Sequence, residues 1–175
     1  MKIFKRLYCL FIIKVVNNLL SGPRPSTFGL KRMLLRSIGY QIGFDSKIVG
    51  PVINTGNLIV GRNCWVGANL TIHGNWTVII ADNCDIGPDV TFLTGGHAIG
   101  DPLRRAGKGQ TYTIHVEDGC WIGARSTILG NTTIGKSCEV AACACVTKNM
   151  KSNQLMGGVN AKTIRKLENE FVETN

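Results

Sequence analysis

Residues 116–151 read Val116-Glu-Asp-Gly-Cys-Trp, Ile122-Gly-Ala-Arg-Ser-Thr, Ile128-Leu-Gly-Asn-Thr-Thr, Ile134-Gly-Lys-Ser-Cys-Glu, Val140-Ala-Ala-Cys-Ala-Cys and Val146-Thr-Lys-Asn-Met-Lys. Each unit begins with a β-branched aliphatic residue, and the residue four places later is small except in the last unit, where it is Met150. An α-helix has no period of six, and a plain strand alternates every two residues. A period of six indicates one short strand and one bend, repeated, with both marked positions facing the core. The stretch therefore predicts an all-β solenoid.

The same period extends towards the N-terminus as far as Ile42. The register shifts by two residues near Trp76–Ile79 and is interrupted over residues 93–115, which are rich in glycine. This segment cannot form part of a regular coil, so it is predicted to be a loop extruded from a β-helix domain spanning residues 42–153. Loops held on a rigid scaffold often carry function. The further lead positions are Ile42, Ile48, Asn54, Val60, Val66, Ile72, Val78 and, after the shift, Ile80, Ile86 and Phe92.

The positive charge is concentrated in the predicted N-terminal helical segment, residues 1–41. Of the net charge of +9, eight units come from residues 1–44, which contain no Asp or Glu, so the solenoid is nearly neutral. A nucleic-acid partner is therefore not predicted. The basic residues are Lys2, Lys5, Arg6, Lys14, Arg24, Lys31, Arg32 and Arg36.

Two helices are predicted in this segment, over residues 2–20 and 30–38. The apolar run Leu7–Ile13 is too short to span a bilayer, and Lys14 interrupts any resemblance to a signal peptide. Two interpretations of residues 1–20 remain open. The helix caps the open end of the solenoid, or it lies on the anionic inner leaflet of a membrane as a peripheral contact.

The C-terminal residues 154–175 are predicted to form a turn and a short amphipathic helix. Ile164, Leu167 and Phe171 would share one face of this helix, over residues 161–171, and cap the far end of the solenoid.

The seven cysteines indicate neither disulfides nor a metal site. Four of them fall on the small inward position, where a free thiol behaves as a compact hydrophobic group, and no CxxC pair is present. Reduced cysteines predict a cytoplasmic protein. The four are Cys64, Cys84, Cys120 and Cys138.

His97 is the histidine within the extruded loop, where it follows Thr94-Gly-Gly. An imidazole that titrates near neutral pH can take the proton of an attacking alcohol or amine. The alternative is an exposed loop histidine without a role. His73 and His115 fall at outward positions of the solenoid, where an ordinary surface histidine is the simpler interpretation.

These motifs resemble the hexapeptide-repeat acyltransferases, in particular the galactoside and maltose O-acetyltransferases and the sugar O-acetyltransferases of bacterial surface polysaccharides. The resemblance covers residues 42–165. It is carried by Asn69-Leu-Thr-Ile, Ile86-Gly-Pro-Asp-Val-Thr, Thr94-Gly-Gly-His97, Cys120-Trp-Ile-Gly-Ala, Val146-Thr-Lys and Gly158-Val-Asn-Ala-Lys-Thr-Ile-Arg.

The resemblance implies a left-handed parallel β-helix and a homotrimer with active sites in clefts between subunits. It implies that His97 is the general base and that Asn69 and Asn75 bind the acceptor. Two departures from the galactoside branch, Gly67 for an Asn and Asn75 for an acidic residue, suggest a different acceptor. The positions that match the family's acetyl-coenzyme A site are Trp121, Ala124, Ala142, Thr147, Lys148, Lys162 and Arg165.

The function implied is direct acetyl transfer from acetyl-coenzyme A to a sugar hydroxyl, in surface polysaccharide biosynthesis. Two alternatives remain open. The first is acetylation of an amino sugar, a drug or serine on the same fold. The second is a non-catalytic β-helix that serves as a scaffold.

Overall fold

Three β-sheets, parallel except for the last strand of the second, surround one elongated core in the computed structural model, which describes residues 2–54 and 56–168. The first sheet contains β1 (Gln41–Ile42), β4 (Asn57–Val60), β7 (Thr77–Ile80), β12 (Ile114–Val116) and β15 (Thr133–Ile134). The second sheet contains β2 (Lys47–Ile48), β5 (Trp65–Val66), β8 (Asp85–Ile86), β13 (Trp121–Ile122), β16 (Glu139–Val140), β18 (Gln154–Gly157) and β19 (Lys162–Lys166). The third contains β3 (Val52–Asn54), β6 (Leu70–His73), β9 (Thr91–Leu93), β14 (Thr127–Leu129) and β17 (Cys145–Val146).

The chain visits the three sheets in turn, so each coil of the helix uses one strand from each sheet. Lys47 pairs with Trp65, and Trp121 pairs with Glu139, each eighteen residues further along the chain. Three six-residue units therefore complete one coil, which confirms the predicted β-helix. The lead residues of these units, Asn54 apart, are all buried in the core: Ile42, Ile48, Val60, Val66, Ile72, Val78, Ile80, Ile86, Phe92, Val116, Ile122, Ile128, Ile134, Val140 and Val146.

Two local changes of period are visible in the strand pairing. Asn57 pairs with Thr77, which places the two-residue insertion between His73 and Thr77, at the start of the predicted interval or just before it. Near the other end, Ile134 pairs with Met150 after only sixteen residues. Met150 therefore occupies a bulky lead position rather than the small position that the repeat predicted, which explains its size.

Asn and Asp residues form many of the bends between strands. Asn63, Asn69, Asn83 and Asp89 have φ between 53° and 58°, a left-handed conformation that short polar side chains tolerate better than most. Asn63 Nδ2 donates to Asn83 Oδ1 over 2.9 Å, so bends in adjacent coils also bind each other. These four residues each stand three places after a lead position, where the backbone takes the left-handed conformation.

At the corner between the first and second sheets, the small inward positions form a column of hydrogen-bonded side chains. Cys64 Sγ lies 3.0 Å from the Ala81 carbonyl oxygen of the next coil, and Cys138 Sγ lies 3.0 Å from that of Lys151. All seven cysteines are free thiols. The buried thiols thus fill space, as predicted, and also donate to carbonyl groups. The members of this column are Ser46, Cys64, Cys84, Cys120 and Cys138.

The N-terminal segment forms α1 (Lys2–Lys14), a π-helical turn (Val15–Leu19) and α2 (Pro25–Ser37). The first helix and its continuation match the predicted span, and α2 begins five residues earlier than predicted because Pro25 fits the first helical position. Within the described residues, no helix is long and apolar enough to cross a membrane.

These helices cap the open edges of the first coil. Asn17 exchanges two hydrogen bonds of 2.9 Å with the backbone of Val52, and Arg32 donates to the Ser46 carbonyl over 3.0 Å. Lys31 is fully buried and donates to the Gly22 and Val49 carbonyls. Its pKa is lowered by burial and by repulsion from Arg24. Basic side chains therefore satisfy backbone carbonyls at the open edge of the first coil, where no further coil can bind them.

The segment predicted as a loop over residues 93–115 is an antiparallel hairpin. It consists of β10 (Gly95–Ile99) and β11 (Ala106–Thr111) and leaves the solenoid between the third and first sheets. Residues 95–111 of this segment stand off the solenoid, whereas Leu93 belongs to β9 and residues 114–115 belong to β12. The hairpin strands were not predicted because glycine-rich sequences lack a strand pattern.

The predicted helix over residues 161–171 is wrong in its described part. Residues 162–166 form β19, which pairs antiparallel with β18, and Ile164 is exposed rather than buried on a helical face. The β18 edge offers unpaired backbone groups, and pairing with them decides the structure of residues 162–166. The short apolar pattern of this segment is compatible with a helix or a strand. β18 itself continues the second sheet past the predicted domain boundary at residue 153. Phe171 lies outside the described residues.

Candidate active site

The hairpin that carries His97 is anchored to the solenoid by Thr94 and Tyr112. Thr94 is buried, and its N–H and hydroxyl both donate to the His73 carbonyl, over 2.7 Å and 3.1 Å. The N–H of Tyr112 donates to the Thr94 carbonyl over 2.8 Å. Both strands of the hairpin are therefore fixed at the point where they leave the β-helix.

Tyr112 fills the space beneath the hairpin because two glycines leave room for its ring. A Cβ on Gly130 would lie 2.6 Å from Tyr112 Cγ, and a Cβ on Gly96 would lie 3.1 Å from Tyr112 Cε2. Real Cβ atoms do not come this close to another heavy atom, so the Tyr112 ring leaves no room for a side chain at position 130. The ring thus packs between the β-helix and the residue before His97, and it determines where the hairpin stands. Sequence reasoning missed this role of Tyr112, since the residue fits no repeat position.

His97 is oriented by a hydrogen bond across the hairpin. Its Nδ1 lies 2.8 Å from the Gly107 carbonyl oxygen, which can only accept, so Nδ1 carries the proton. The neutral ring then has its lone pair on Nε2, the atom that a general base needs. A backbone carbonyl fixes the tautomer here.

A depression of about 460 Å³ surrounds this imidazole. His73, Asn75, Gln110 and Thr111 line it together with glycines of the hairpin. None of the described residues that line it is Asp or Glu, so the depression offers hydrogen-bonding groups without negative charge. This chemistry suits a neutral acceptor with several hydroxyl groups. Gln110 and Thr111 could not be predicted before the hairpin register was known.

The two residues predicted to bind the acceptor, Asn69 and Asn75, lie at different places on the β-helix. Asn75 lines the depression beside His97. Asn69 lies at the bend between the second and third sheets, where its Nδ2 donates to Asp89 Oδ1 over 2.9 Å. Gly67 belongs to the same bend, with its backbone close to Gly87 of the next coil. The structure therefore brings Asn75, and not Asn69, to the His97 depression of the same chain.

Three of the predicted coenzyme positions lie on the second sheet or at its border with the third sheet. Trp121 is exposed on β13, on the outer side of the sheet. Ala124 and Ala142 stand on adjacent coils at the next corner, where the Cys143 N–H donates to the Ala124 carbonyl over 2.9 Å. Small side chains at this corner leave the backbone open to a ligand.

A second depression, of about 310 Å³, lies at the C-terminal end of the β-helix. It is lined by Lys148, Lys151 and Lys162 with polar and apolar neighbours, and none of its described lining residues is acidic. Three ammonium groups without a carboxylate suit a phosphate-bearing ligand. Arg165 lies on β19 opposite Leu155, and Thr147 directly precedes Lys148. Lys151 was not among the predicted coenzyme residues. Its position three residues after Lys148 is the sequence feature that could have indicated it.

His97 and Trp121 lie on different sides of the β-helix. The hairpin leaves the β-helix between the third and first sheets, whereas Trp121 belongs to the second sheet. Lys148 stands at the same corner as the hairpin but two coils further along, between β17 and the Met150 bridge to Ile134. Within one chain, the His97 depression and the predicted coenzyme positions are therefore separate. Across residues 2–54 and 56–168, no group of three or more His, Cys, Asp or Glu side chains is placed to hold a metal ion.

Two family models match the β-helix. The model described as bacterial transferase hexapeptide (six repeats) matches residues 113–148, and the hexapeptide repeat of succinyl-transferase matches residues 57–88. The galactoside O-acetyltransferase of Escherichia coli strain K12 is 31% identical over 145 residues, covering 82% of this chain and 71% of that protein.

Solved structures share the whole architecture. A galactoside acetyltransferase in complex with coenzyme A superposes with a TM-score of 0.78 at 28% identity, covering 94% of this chain and 81% of that one. A hexapeptide-repeat acetyltransferase from Vibrio cholerae, complexed with acetyl-coenzyme A, gives 0.79 at 24% identity, covering 94% and 87%. The second likeness shows the fold alone, whereas the first also shows a relative that binds coenzyme A.

Proposed function

Because the chain belongs to the hexapeptide-repeat acyltransferases, the family of left-handed parallel β-helix enzymes, we propose that it transfers an acetyl group to a sugar hydroxyl. The enzyme is an acyltransferase with acetyl-coenzyme A as its co-substrate. The observation that carries the finer proposal is the His97 imidazole, held with Nε2 free at a depression lined by uncharged hydrogen-bonding groups.

In the proposed reaction, His97 Nε2 removes the proton of the acceptor hydroxyl as its oxygen attacks the thioester carbonyl carbon. The tetrahedral intermediate then collapses, the carbon–sulfur bond breaks, and the imidazolium returns its proton to the leaving thiolate. Direct transfer is proposed because a general base needs no acyl-enzyme, and four of the seven cysteines, Cys64, Cys84, Cys120 and Cys138, lie inside the β-helix.

The basic depression at the C-terminal end is proposed to hold the phosphates of coenzyme A. Lys148, Lys151 and Lys162 would meet the phosphates, and Trp121, Ala124 and Ala142 would border the pantetheine arm. Thr147 and Arg165 would complete the nucleotide end. This fits the residues present, since the depression contains cations and none of its described lining residues carries a carboxylate.

A homotrimer is proposed for the active assembly. His97 and Trp121 lie on different sides of one β-helix, so in such a trimer a neighbouring copy would bring His97 to the Trp121 side of the β-helix. The same arrangement gives Asn69 a way to contact the acceptor from an adjacent subunit.

The alternative acceptors fit the depression less well. An amino sugar, an aminated drug or serine carries an ammonium group at neutral pH, and none of the described residues lining the depression is a carboxylate that could bind it. The open position of His97 supports a sugar that is part of a longer glycan, as in surface polysaccharide biosynthesis.

The proposal is tested by thiol release from acetyl-coenzyme A across free sugars, nucleotide sugars, polysaccharide fragments, amino sugars and serine. We expect release with one class of sugar and none with serine. Release with amines alone would contradict the hydroxyl acceptor. If coenzyme A bound saturably but no tested acceptor caused thiol release, the coenzyme site would stand and all acceptors of this panel would be ruled out.

We predict that Gly130→Ala displaces Tyr112 and with it the hairpin. The added Cβ would overlap the ring, so kcat/KM should fall by roughly tenfold to a hundredfold, the effect of misplacing a catalytic group by about 1 Å. Overpacking should also lower the free energy of unfolding by about 1–3 kcal/mol. Steady-state kinetics and thermal melting measure the two effects.

The matched control is Gly29→Ala in α2, where no heavy atom lies within 4 Å of the added Cβ. It should leave kcat/KM unchanged. Equal activity of both variants would show that the ring does not position the hairpin.

A further inference from the structure

The first helix has two apolar faces, and the structure covers one of them. Ile12 and Val16 are buried against the helical cap and the first coil. On the outward face, four large apolar side chains remain exposed to an unusual extent: Phe4 (79%), Leu7 (57%), Leu10 (58%) and Phe11 (62%).

The helical spacing places these side chains in one stripe. Phe4, Leu7 and Phe11 are three and four residues apart, so they stand above one another along α1. Ile12 and Val16 are four apart on the opposite side, which is the side that packs. A docked helix with a contiguous apolar outer face has a surface available to a further partner.

The charges beside this stripe identify the class of partner. Residues 1–44 contain eight basic and no acidic residues. Lys31, Arg32 and Arg36 are engaged by carbonyl groups of the first coil. Arg6 and Lys14 are exposed on α1 itself. Basic groups along an exposed apolar stripe match a surface that offers phosphates above hydrocarbon.

We propose that α1 lies in the plane of an anionic phospholipid surface. Phe4, Leu7 and Phe11 enter the boundary between head groups and acyl chains, while Arg6 and Lys14 meet lipid phosphates. With 13 residues, α1 lies along the surface and does not cross it. Since α1 is packed on the first coil, its attachment holds the N-terminal end of the β-helix towards the membrane. This inference does not depend on the proposed acetyl transfer.

A second copy of the chain is a poorer occupant of the stripe. Around a symmetry axis, equivalent α1 helices would bring like charges together, and the described part of the segment offers no carboxylate to offset them. A nucleic acid would match the charge but leaves the phenylalanine and leucine side chains without an apolar environment. A lipid surface accommodates both features.

The test is co-sedimentation of the full chain with vesicles of phosphatidylcholine, with or without phosphatidylglycerol. We expect binding to the anionic vesicles only, weakened by salt. Leu7→Ser combined with Phe11→Ser should reduce the partition coefficient by roughly tenfold or more, because less apolar surface enters the membrane. Arg6→Gln combined with Lys14→Gln should reduce it by roughly tenfold.

The control is Leu103→Ser, at the tip of the hairpin, where the leucine is 98% exposed. It should bind vesicles as the unaltered chain does. Deleting residues 1–20 is a poorer test, because it also removes Ile12, Val16 and Asn17 from the cap of the first coil. Each point variant is first shown by thermal melting to be folded.

Three outcomes would overturn the proposal. The first is no binding to anionic vesicles. The second is vesicle binding by the Leu7 and Phe11 variant that equals that of the unaltered chain, or a loss of vesicle binding in the Leu103 variant as large as in the Leu7 and Phe11 variant. The third is a change of oligomeric state in solution caused by the Leu7 and Phe11 substitutions, which would assign the stripe to a second copy of the chain.

Discussion

Replacing His97 with alanine is expected to lower kcat for acetyl transfer by roughly a hundredfold to ten-thousandfold, the usual contribution of a general base. The imidazole is the titratable group that the hairpin presents to the acceptor depression, with Nε2 free because Nδ1 donates to Gly107. The measurement is single-turnover and steady-state thiol release with the acceptor that the panel of sugars and amines selects.

His97→Asn separates proton transfer from positioning. The amide of asparagine can keep a hydrogen bond to the Gly107 carbonyl but cannot take a proton from a hydroxyl. Both variants should therefore lose activity to a similar degree, while coenzyme A affinity and melting temperature stay unchanged because His97 is exposed. If the asparagine variant retained most of the wild-type kcat, the imidazole would be a positioning residue and the proposed mechanism would fail.

The core of this fold was predictable because its periodicity is local. Each coil repeats the same short strand and bend, so Ile122 and Ile128 reveal their burial without knowledge of any distant residue. Asn63 and Asn83 likewise mark bends through their own backbone preference. Such features depend on neighbours a few residues away, which is the range over which sequence patterns are informative.

The errors arose where distant backbone decides the structure. Residues 162–166 form a strand because the β18 edge supplies partners for their backbone groups, and no pattern within the segment shows that edge. Met150 takes a lead position because the last coil is shortened by two residues, which only the pairing with Ile134 reveals. The sequence pattern alone does not distinguish the strand at residues 162–166 from a helix, or the lead position of Met150 from the small position of a regular unit.

The candidate site was predictable in its chemistry and not in its assembly. The glycine-rich setting of His97 and the basic residues near Lys148 indicated a base and an anion site. Their separation follows from the order of the coils, because Lys148 stands between β17 and the Met150 bridge to Ile134, two coils beyond the hairpin. Tyr112, which packs against Gly130, became apparent only once the hairpin was placed on the solenoid.

Cys138→Asp is expected to lower the free energy of unfolding by about 3–5 kcal/mol, the cost of an unpaired buried charge. Cys138 is buried in the column between the first and second sheets, and its Sγ donates to the Lys151 carbonyl over 3.0 Å. Burial already raises the pKa of this thiol, so the site disfavours negative charge. A carboxylate there would also face a carbonyl oxygen that it cannot bind.

Cys138→Ser is the matched control, because Ser46 occupies the equivalent position of the first coil and donates to the Gly61 carbonyl over 2.6 Å. A hydroxyl can thus replace the thiol in this column, and the free energy of unfolding should fall by only about 1 kcal/mol. Thermal and denaturant unfolding of both variants provide the measurement. An Asp variant as stable as the Ser variant would show that position 138 is not enclosed by the β-helix.

The cost of the introduced carboxylate should depend on pH in a direction that distinguishes charge from size. Burial raises the pKa of the carboxyl group in the folded state above its unfolded value of about 3.9. The unfolded chain then releases the proton more readily, so stability is lost as pH rises through this interval and is regained at acid pH. The difference in unfolding free energy between the Asp and Ser variants should therefore narrow as pH falls. A difference that stays constant with pH would attribute the destabilisation to steric misfit at position 138 instead of to buried charge.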